Sequence, residues 1–226
     1  MSPGNRRTFL GTALAAGLGG GMEEARRWAV LTIGNLSRNR YWGESDQKPY
    51  RSAICTCTLI AGDRLVLLVD PSLKDAGEMA RELDRRTGLK AEDIRAVFVT
   101  HEHGDHWAGI EHFPRAEWFA APAVAGELNR GSKCSRPIKP AGEALLPFAR
   151  VVATPGHTVS HHSLVFSCGK KRIAVAGDAV ATADFWRERR SYFNAVDPKE
   201  AARSMDRLAR LADIVIPGHD NYFAVR

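Results

Sequence analysis

The chain has 226 residues, of which 44% are hydrophobic and 26% charged. That is enough for one globular core, and it excludes disordered, collagen-like and coiled-coil classes. No run reaches the roughly 18 consecutive apolar residues of a membrane-spanning helix, so stable membrane insertion is not expected. The formal net charge of +6 suits an anionic substrate or a nucleic acid without choosing between them.

Residues 1–21 carry the adjacent Arg6 and Arg7, then Phe9 and Leu10, then a soft Ala/Gly/Leu stretch with no acidic residue. The segment resembles a twin-arginine export signal, which implies a periplasmic or secreted protein exported already folded and cleaved near Gly21. A start at Met22 would instead leave it cytoplasmic. Residues 28–226 read as one domain without repeat or linker. Ala29–Ile33, Ala53–Ile60 and Arg64–Val69 predict an antiparallel meander with a turn at Gly62-Asp63.

Ala76, Met79, Ala80 and Leu83 recur at helical spacing before Gly88, so Asp75–Thr87 predicts an amphipathic helix. A second helix starts at Asp197 as N-cap, with Pro198 in first position and Glu200 behind it, and should bury Ala201, Met205, Leu208 and Ala212. Cys55, Cys57, Cys134 and Cys168 form no C-x-x-C pair and read as small core residues.

Four apolar runs share one design: Ala96–Val99 leads to His101, Val151–Ala153 to His157, Ile173–Ala176 to Asp178, and Ile214–Ile216 to His219. Ligand groups of layered α/β folds gather beyond strand carboxyl ends, and the glycine preceding three of the four lets backbone approach closely. The first group is a cluster, Thr100-His101-Glu102-His103-Gly104-Asp105-His106, in a loop expected to enter a helix carrying Trp107. His101, His103, Asp105, His106, His157, Asp178 and His219 make seven N/O donors with no thiolate, enough for two divalent ions. Such donors suit zinc first, and also iron or manganese.

Together the motifs THEHGDHWAG, TPGHT, AGDA and PGHD resemble the metallo-β-lactamase superfamily. The resemblance implies an α/β fold, a four-layer αβ/βα sandwich with a dinuclear site at one rim. It implies that His101, His103 and His157 hold one ion, Asp105, His106 and His219 the other, and that Asp178 bridges. Asp70 matches a position that braces the metal loop, or it is a turn-capping residue before Pro71. The implied chemistry is a dinuclear zinc-dependent hydrolase whose bridging hydroxide attacks an ester, thioester or lactone carbonyl, with Asp105 and Asp178 catalytic and Asp105 steering protons to the leaving group.

Within the superfamily, Asp178 and His106 set the chain apart from true β-lactamases, and His103 from flavodiiron proteins. The short tail after His219 implies no helical glyoxalase II extension. The segment from Thr154 to Ser163 and the stretch Phe193–Pro198 resemble N-acyl-homoserine lactonases, although Ala181 stands where those enzymes place a tyrosine. The early strands and the ending Ala212–His219 resemble small single-domain animal proteins, for which phosphodiesterase or ribonuclease activity is the alternative. A mononuclear iron persulfide dioxygenase and a non-catalytic metal-binding protein are further readings.

Arg38–Trp42, Phe185-Trp186-Arg187, Tyr192, Phe193 and Tyr222 are expected to wall a pocket for an anionic or amphipathic small molecule, with Arg130, Lys133 and Arg136 adding a basic loop. Trp107 should pack the metal loop, His161 stand behind a ligand, and His112 lie on the surface.

Overall fold

The computed structural model describes residues 24–142 and 148–225; the signal-like residues 1–21 lie outside them. In the first sheet β1 (Arg27–Thr32), β2 (Cys57–Ala61), β3 (Val66–Val69), β4 (Ala96–Val99), β5 (Glu117–Ala120) and β6 (Lys139–Pro140) lie in sequence order. The second holds β7 (Ala149–Ala153), β8 (His162–Cys168), β9 (Lys171–Gly177), β10 (Ile214–Pro217) and β11 (Phe223–Ala224), in the order β11-β10-β9-β8-β7. The meander β1-β2-β3 is antiparallel as expected, and β3 to β6 run parallel.

Side-chain alternation along a strand explains how the second sheet serves two cores. Leu164 and Phe166 of β8 and Ile173 and Val175 of β9 face inward, joining the core that holds Leu59, Leu68 and Val97 of the first sheet. Their neighbours Val165, Ala174 and Ala176 point the other way, onto Met205 and Leu208 of α4 (Pro198–Leu211). Helices α1 (Ala76–Thr87) and α2 (Pro122–Arg130) cover the first sheet with Met79, Leu83, Val124 and Leu128. The result is the four-layer αβ/βα sandwich, with a short α3 (Ala183–Arg187) near the rim. Among the described residues no helix is long and apolar enough to cross a membrane.

Both expected caps form: the Asp75 carboxylate accepts from Glu78 N–H, and that of Asp197 from Lys199 and Glu200 N–H. Only Met79 and Leu83 of the predicted α1 stripe are buried, while Ala76 and Ala80 stay exposed, because the helix touches the sheet along one narrow seam.

Two expectations are corrected. Residues 53–56 are not strand, since their backbone pairs elsewhere: Ile54 bridges Asn35, and Thr56 N–H donates to Gly218 O at 2.6 Å, carrying the chain across to the second sheet. The segment around Trp107 is not an α-helix but two 3₁₀ turns, residues 104–106 and 110–112. There the Trp107 indole donates to Glu102 O at 3.2 Å and Gly109 N–H to Pro71 O at 2.8 Å, folding the loop onto itself.

Strands β9 and β10 run parallel, and β7 lies two antiparallel steps from β9, so β7, β9 and β10 all open at one rim. The carboxyl ends of β3 and β4 reach the same rim, as the contacts below show.

Candidate metal centre

Asp70 follows β3 in the left-handed region, with φ of 52°, and is 1% exposed. Its Oδ1 accepts from Thr100 N–H and its Oδ2 from the Thr100 hydroxyl, both at 2.8 Å. Oδ2 also lies 2.8 Å from His106 Nδ1. A carboxylate only accepts, so His106 carries its proton on Nδ1 and presents a bare Nε2. The Thr100 hydroxyl, its proton given to Asp70, accepts from His101 Nδ1 at 3.1 Å, which bares His101 Nε2 in turn. His219 Nδ1 donates to Asn35 O at 3.1 Å and Ile54 O at 3.0 Å, so its Nε2 is free as well. Three histidines are thus set in the tautomer that a metal requires, by partners on the far side of each ring. Asp70 therefore braces the loop rather than merely capping a turn. We expect Asp70→Asn, which cannot satisfy both Thr100 and His106, to weaken metal affinity about 10- to 100-fold in a chelator competition titration.

Ring nitrogens and carboxylate oxygens converge in two groups. His103 Nδ1 lies 3.0 Å from His101 Nε2 and 2.9 Å from His157 Nε2. Zn–N bonds of about 2.0–2.1 Å in tetrahedral array place ligand nitrogens roughly 3.3 Å apart, so this trio has the size a metal needs. Asp105, His106 and His219 form the second trio, with Asp105 Oδ2 3.6 Å from His219 Nε2. Asp178 stands between them. Its Oδ2 lies 3.3 Å from His157 Nε2 and 3.9 Å from His101 Nε2, and its Oδ1 3.2 Å from Nε2 of both His106 and His219. His106 Nε2 and Asp178 Oδ1 are buried with no hydrogen-bond partner, an arrangement that a cation resolves. All seven expected residues meet here, and they fit the two-ion pattern.

Close backbone approach makes the meeting possible. A Cβ on Gly218 would sit 2.0 Å from Asp178 Oδ1, and one on Gly156, at φ of 128°, would sit 2.2 Å from the Ala201 nitrogen of α4.

Without metal the buried histidines of the site hold protons differently. Burial pushes His157 down to about 4 and His101 well below its ordinary value, with repulsion from His106 adding to the latter. Burial also opposes charge on His106, but Asp178 and Asp70 together carry it well above the usual value; Asp178 likewise raises His219 against its burial. Asp178 stays far below the carboxylate range, since His219, His106 and His157 outweigh its burial.

Two neighbours had no signal in the sequence. Glu102 Oε2 accepts from the hydroxyls of Thr158 at 3.2 Å and Ser160 at 3.1 Å, clamping the His101 loop to the His157 loop. Cys55 is core-like as expected, but it lies grouped with Asp70 and His106, where burial raises its thiol to about 12 and keeps it un-ionised.

Several expected pocket residues turn inward. Phe185 and Tyr192 are buried with Leu36 and Ala181, and the Tyr192 hydroxyl meets Ser37 Oγ and the Arg38 backbone. Trp186 packs on Phe223. Arg136 stacks on Trp118 with its guanidinium carbon 3.8 Å from the ring centroid, and Arg130 pairs with Glu127. Phe193 and Trp42 remain exposed, with Arg38 lying over Phe193; Tyr222, also exposed, packs edge-on against Trp28. His112 is not a free surface residue, since its Nε2 reaches Lys74 O at 3.0 Å.

Comparison with known proteins agrees with this rim. The family model described as metallo-beta-lactamase superfamily matches residues 51–219. Metallo-beta-lactamase domain-containing protein 1 of Xenopus laevis is 31% identical over 179 residues, covering 74% of this chain and 71% of that protein. The match to the mouse protein of the same name spans about half of its length, 53%.

Among solved structures, a B. thuringiensis AiiA variant with N-decanoyl-L-homoserine at its active site superposes with a TM-score of 0.65 at 18% identity, covering 88% of this chain and 94% of its own. AidC, described as a dizinc quorum-quenching lactonase, gives 0.61 at 17% identity over 74% and 72% of the two chains. These two likenesses speak for the fold. The family match spans every residue of both trios and Asp178, and places the chain in the metallo-β-lactamase superfamily.

Proposed function

We propose that the chain is a dinuclear hydrolase, with zinc as the favoured metal, that cleaves an ester, thioester or lactone carbonyl. The observation that carries this is Asp178, whose carboxylate reaches both trios: Oδ1 lies 3.2 Å from Nε2 of His106 and His219, and Oδ2 lies 3.3 Å from Nε2 of His157 and of His219. His101, His103 and His157 would hold one ion, Asp105, His106 and His219 the second, and Asp178 both. Two divalent ions held so closely supply an activated hydroxide and an electrophile for the developing oxyanion. The chain's own part is to fix those donors and to move protons. Asp105 is the most open of the three donors in the second trio, its side chain 24% exposed against 0% and 3% for those of His106 and His219, which suits it to pass a proton to the leaving group.

Exposed apolar residues beside His157 favour an amphipathic substrate. Val159 lies two residues on, and Val196, 61% exposed, donates its N–H to His157 O at 3.2 Å. Ala181 supplies no hydroxyl, and Tyr192 spends its own on the Arg38 backbone, so a homoserine-lactone preference is not part of the reading. Engagement of Arg130 and Arg136 elsewhere weighs against an RNA substrate.

Purified protein restored with zinc should hydrolyse at least one member of an aryl ester, thioester and lactone panel. Absence of turnover above His106→Ala across the panel would overturn the reading, as would faster cleavage of a bis-aryl phosphodiester.

A further inference from the structure

His161 is fully buried, belongs to neither trio, and touches three of the strand ends that supply them. Its hydrogen bonds form a chain with only one consistent direction. Ala179 N–H, next to Asp178, can only donate, and it donates to His161 Nε2 at 3.3 Å. The ring proton therefore sits on Nδ1 and is given to Thr154 Oγ1 at 2.9 Å. The Thr154 hydroxyl in turn meets Ser163 Oγ at 2.8 Å, and Ser163 donates to Ala176 O at 2.9 Å. Every buried polar group in this chain is satisfied, and reversing any member leaves a donor facing a donor.

The ring is also wedged in place. It lies tilted against the His101 ring, with centroids 4.9 Å apart, and a Cβ on Gly177 would come within 2.8 Å of His161 Nε2. His161 O accepts from Thr154 N–H at 3.0 Å, so ring and backbone hold the same residue. One side chain thereby ties the end of β7, which leads to His157, to the end of β9, which carries Asp178, and backs the ring of His101 that follows β4.

We propose that His161 is a positioning residue: an imidazole protonated on Nδ1 that fixes the peptide after Asp178 against the loop of His157 and so sets the spacing of the two ion sites without ligating either ion. The inference rests on the ligand assignment proposed above. It predicts that removing the ring loosens the metal ligands although every donor remains.

The test uses the full chain loaded with zinc. Long-range proton–nitrogen NMR of histidine-labelled protein should show His161 protonated at Nδ1 and bare at Nε2; the opposite tautomer, or a metal-shifted His161 nitrogen, overturns the proposal. Chelator competition should show His161→Ala binding zinc about 10- to 100-fold more weakly. His161→Gln, whose Oε1 replaces Nε2 as acceptor for Ala179 N–H, should recover most of that loss. Thr154→Val, of nearly unchanged volume, should fall between them, which keeps the test decisive if His161→Ala does not fold. In turnover, kcat should drop while KM holds. Wild-type protein that takes up no ion refutes the ligand assignment; wild-type protein that takes up two, with affinity unchanged in His161→Ala and Thr154→Val, refutes the role of His161 alone.

Discussion

Asp178→Asn is expected to lower turnover about a thousandfold, or roughly 4 kcal/mol of transition-state stabilisation, and to reduce bound zinc from two ions per chain to one or none. Asn fills the same volume and leaves the Ala179 N–H bond to His161 intact, so the fold should survive. What is lost is charge. The carboxylate is buried among four imidazoles, with Oδ1 3.2 Å from Nε2 of both His106 and His219, and a neutral amide would turn either an N–H or a weaker acceptor toward them. Metal analysis beside turnover on the panel's best substrate checks this, with circular dichroism as the control for folding. Retention of two ions and full turnover would show that Asp178 does not join the two sites.

Acid should strip the two ions in order. His106, whose affinity for protons is carried well above its ordinary value, enters the metal-free state with a second proton on Nε2, and the affinity of His219 is raised in the same sense, so an ion entering the second trio displaces protons. His157, pushed down to about 4, and His101, held low by burial, are already free bases there. The sign follows directly. Below a raised pKa each displaced proton weakens binding by about tenfold per pH unit, whereas His157 meets no such competition until the pH nears 4. Dialysis against zinc buffers of falling pH should therefore give two ions per chain, then one, then none. Loss of both in a single step, or of the first trio's ion before the second's, would contradict the assignment of protons.

Much of this was legible in the sequence, because it depends on local order. The buried strands β4, β9 and β10 announce themselves as short apolar runs, the caps at Asp75 and Asp197 as side chains placed before helical patterns, and the ligand candidates as His and Asp residues just past strand ends. The 53–56 segment was misread because its β-branched and apolar residues satisfy their backbone across the rim, at Asn35 and Gly218, where no local pattern records a partner. The loop aromatics were misread for a related reason. An aromatic residue looks alike whether it walls a pocket or, like Phe185 and Tyr192, fills a small core beneath one.

By itself, the sequence picked out the set of candidate donors: seven nitrogen and oxygen groups in four segments, with glycines where backbone must pass closely. Only the tertiary structure decided how they divide, which nitrogen of each ring faces inward, and that Asp178 stands between the trios. Ligand division and ring tautomer are set by contacts over long sequence separation, such as Asp70 with His106 and His219 with Asn35 and Ile54, and no spacing along the chain encodes them.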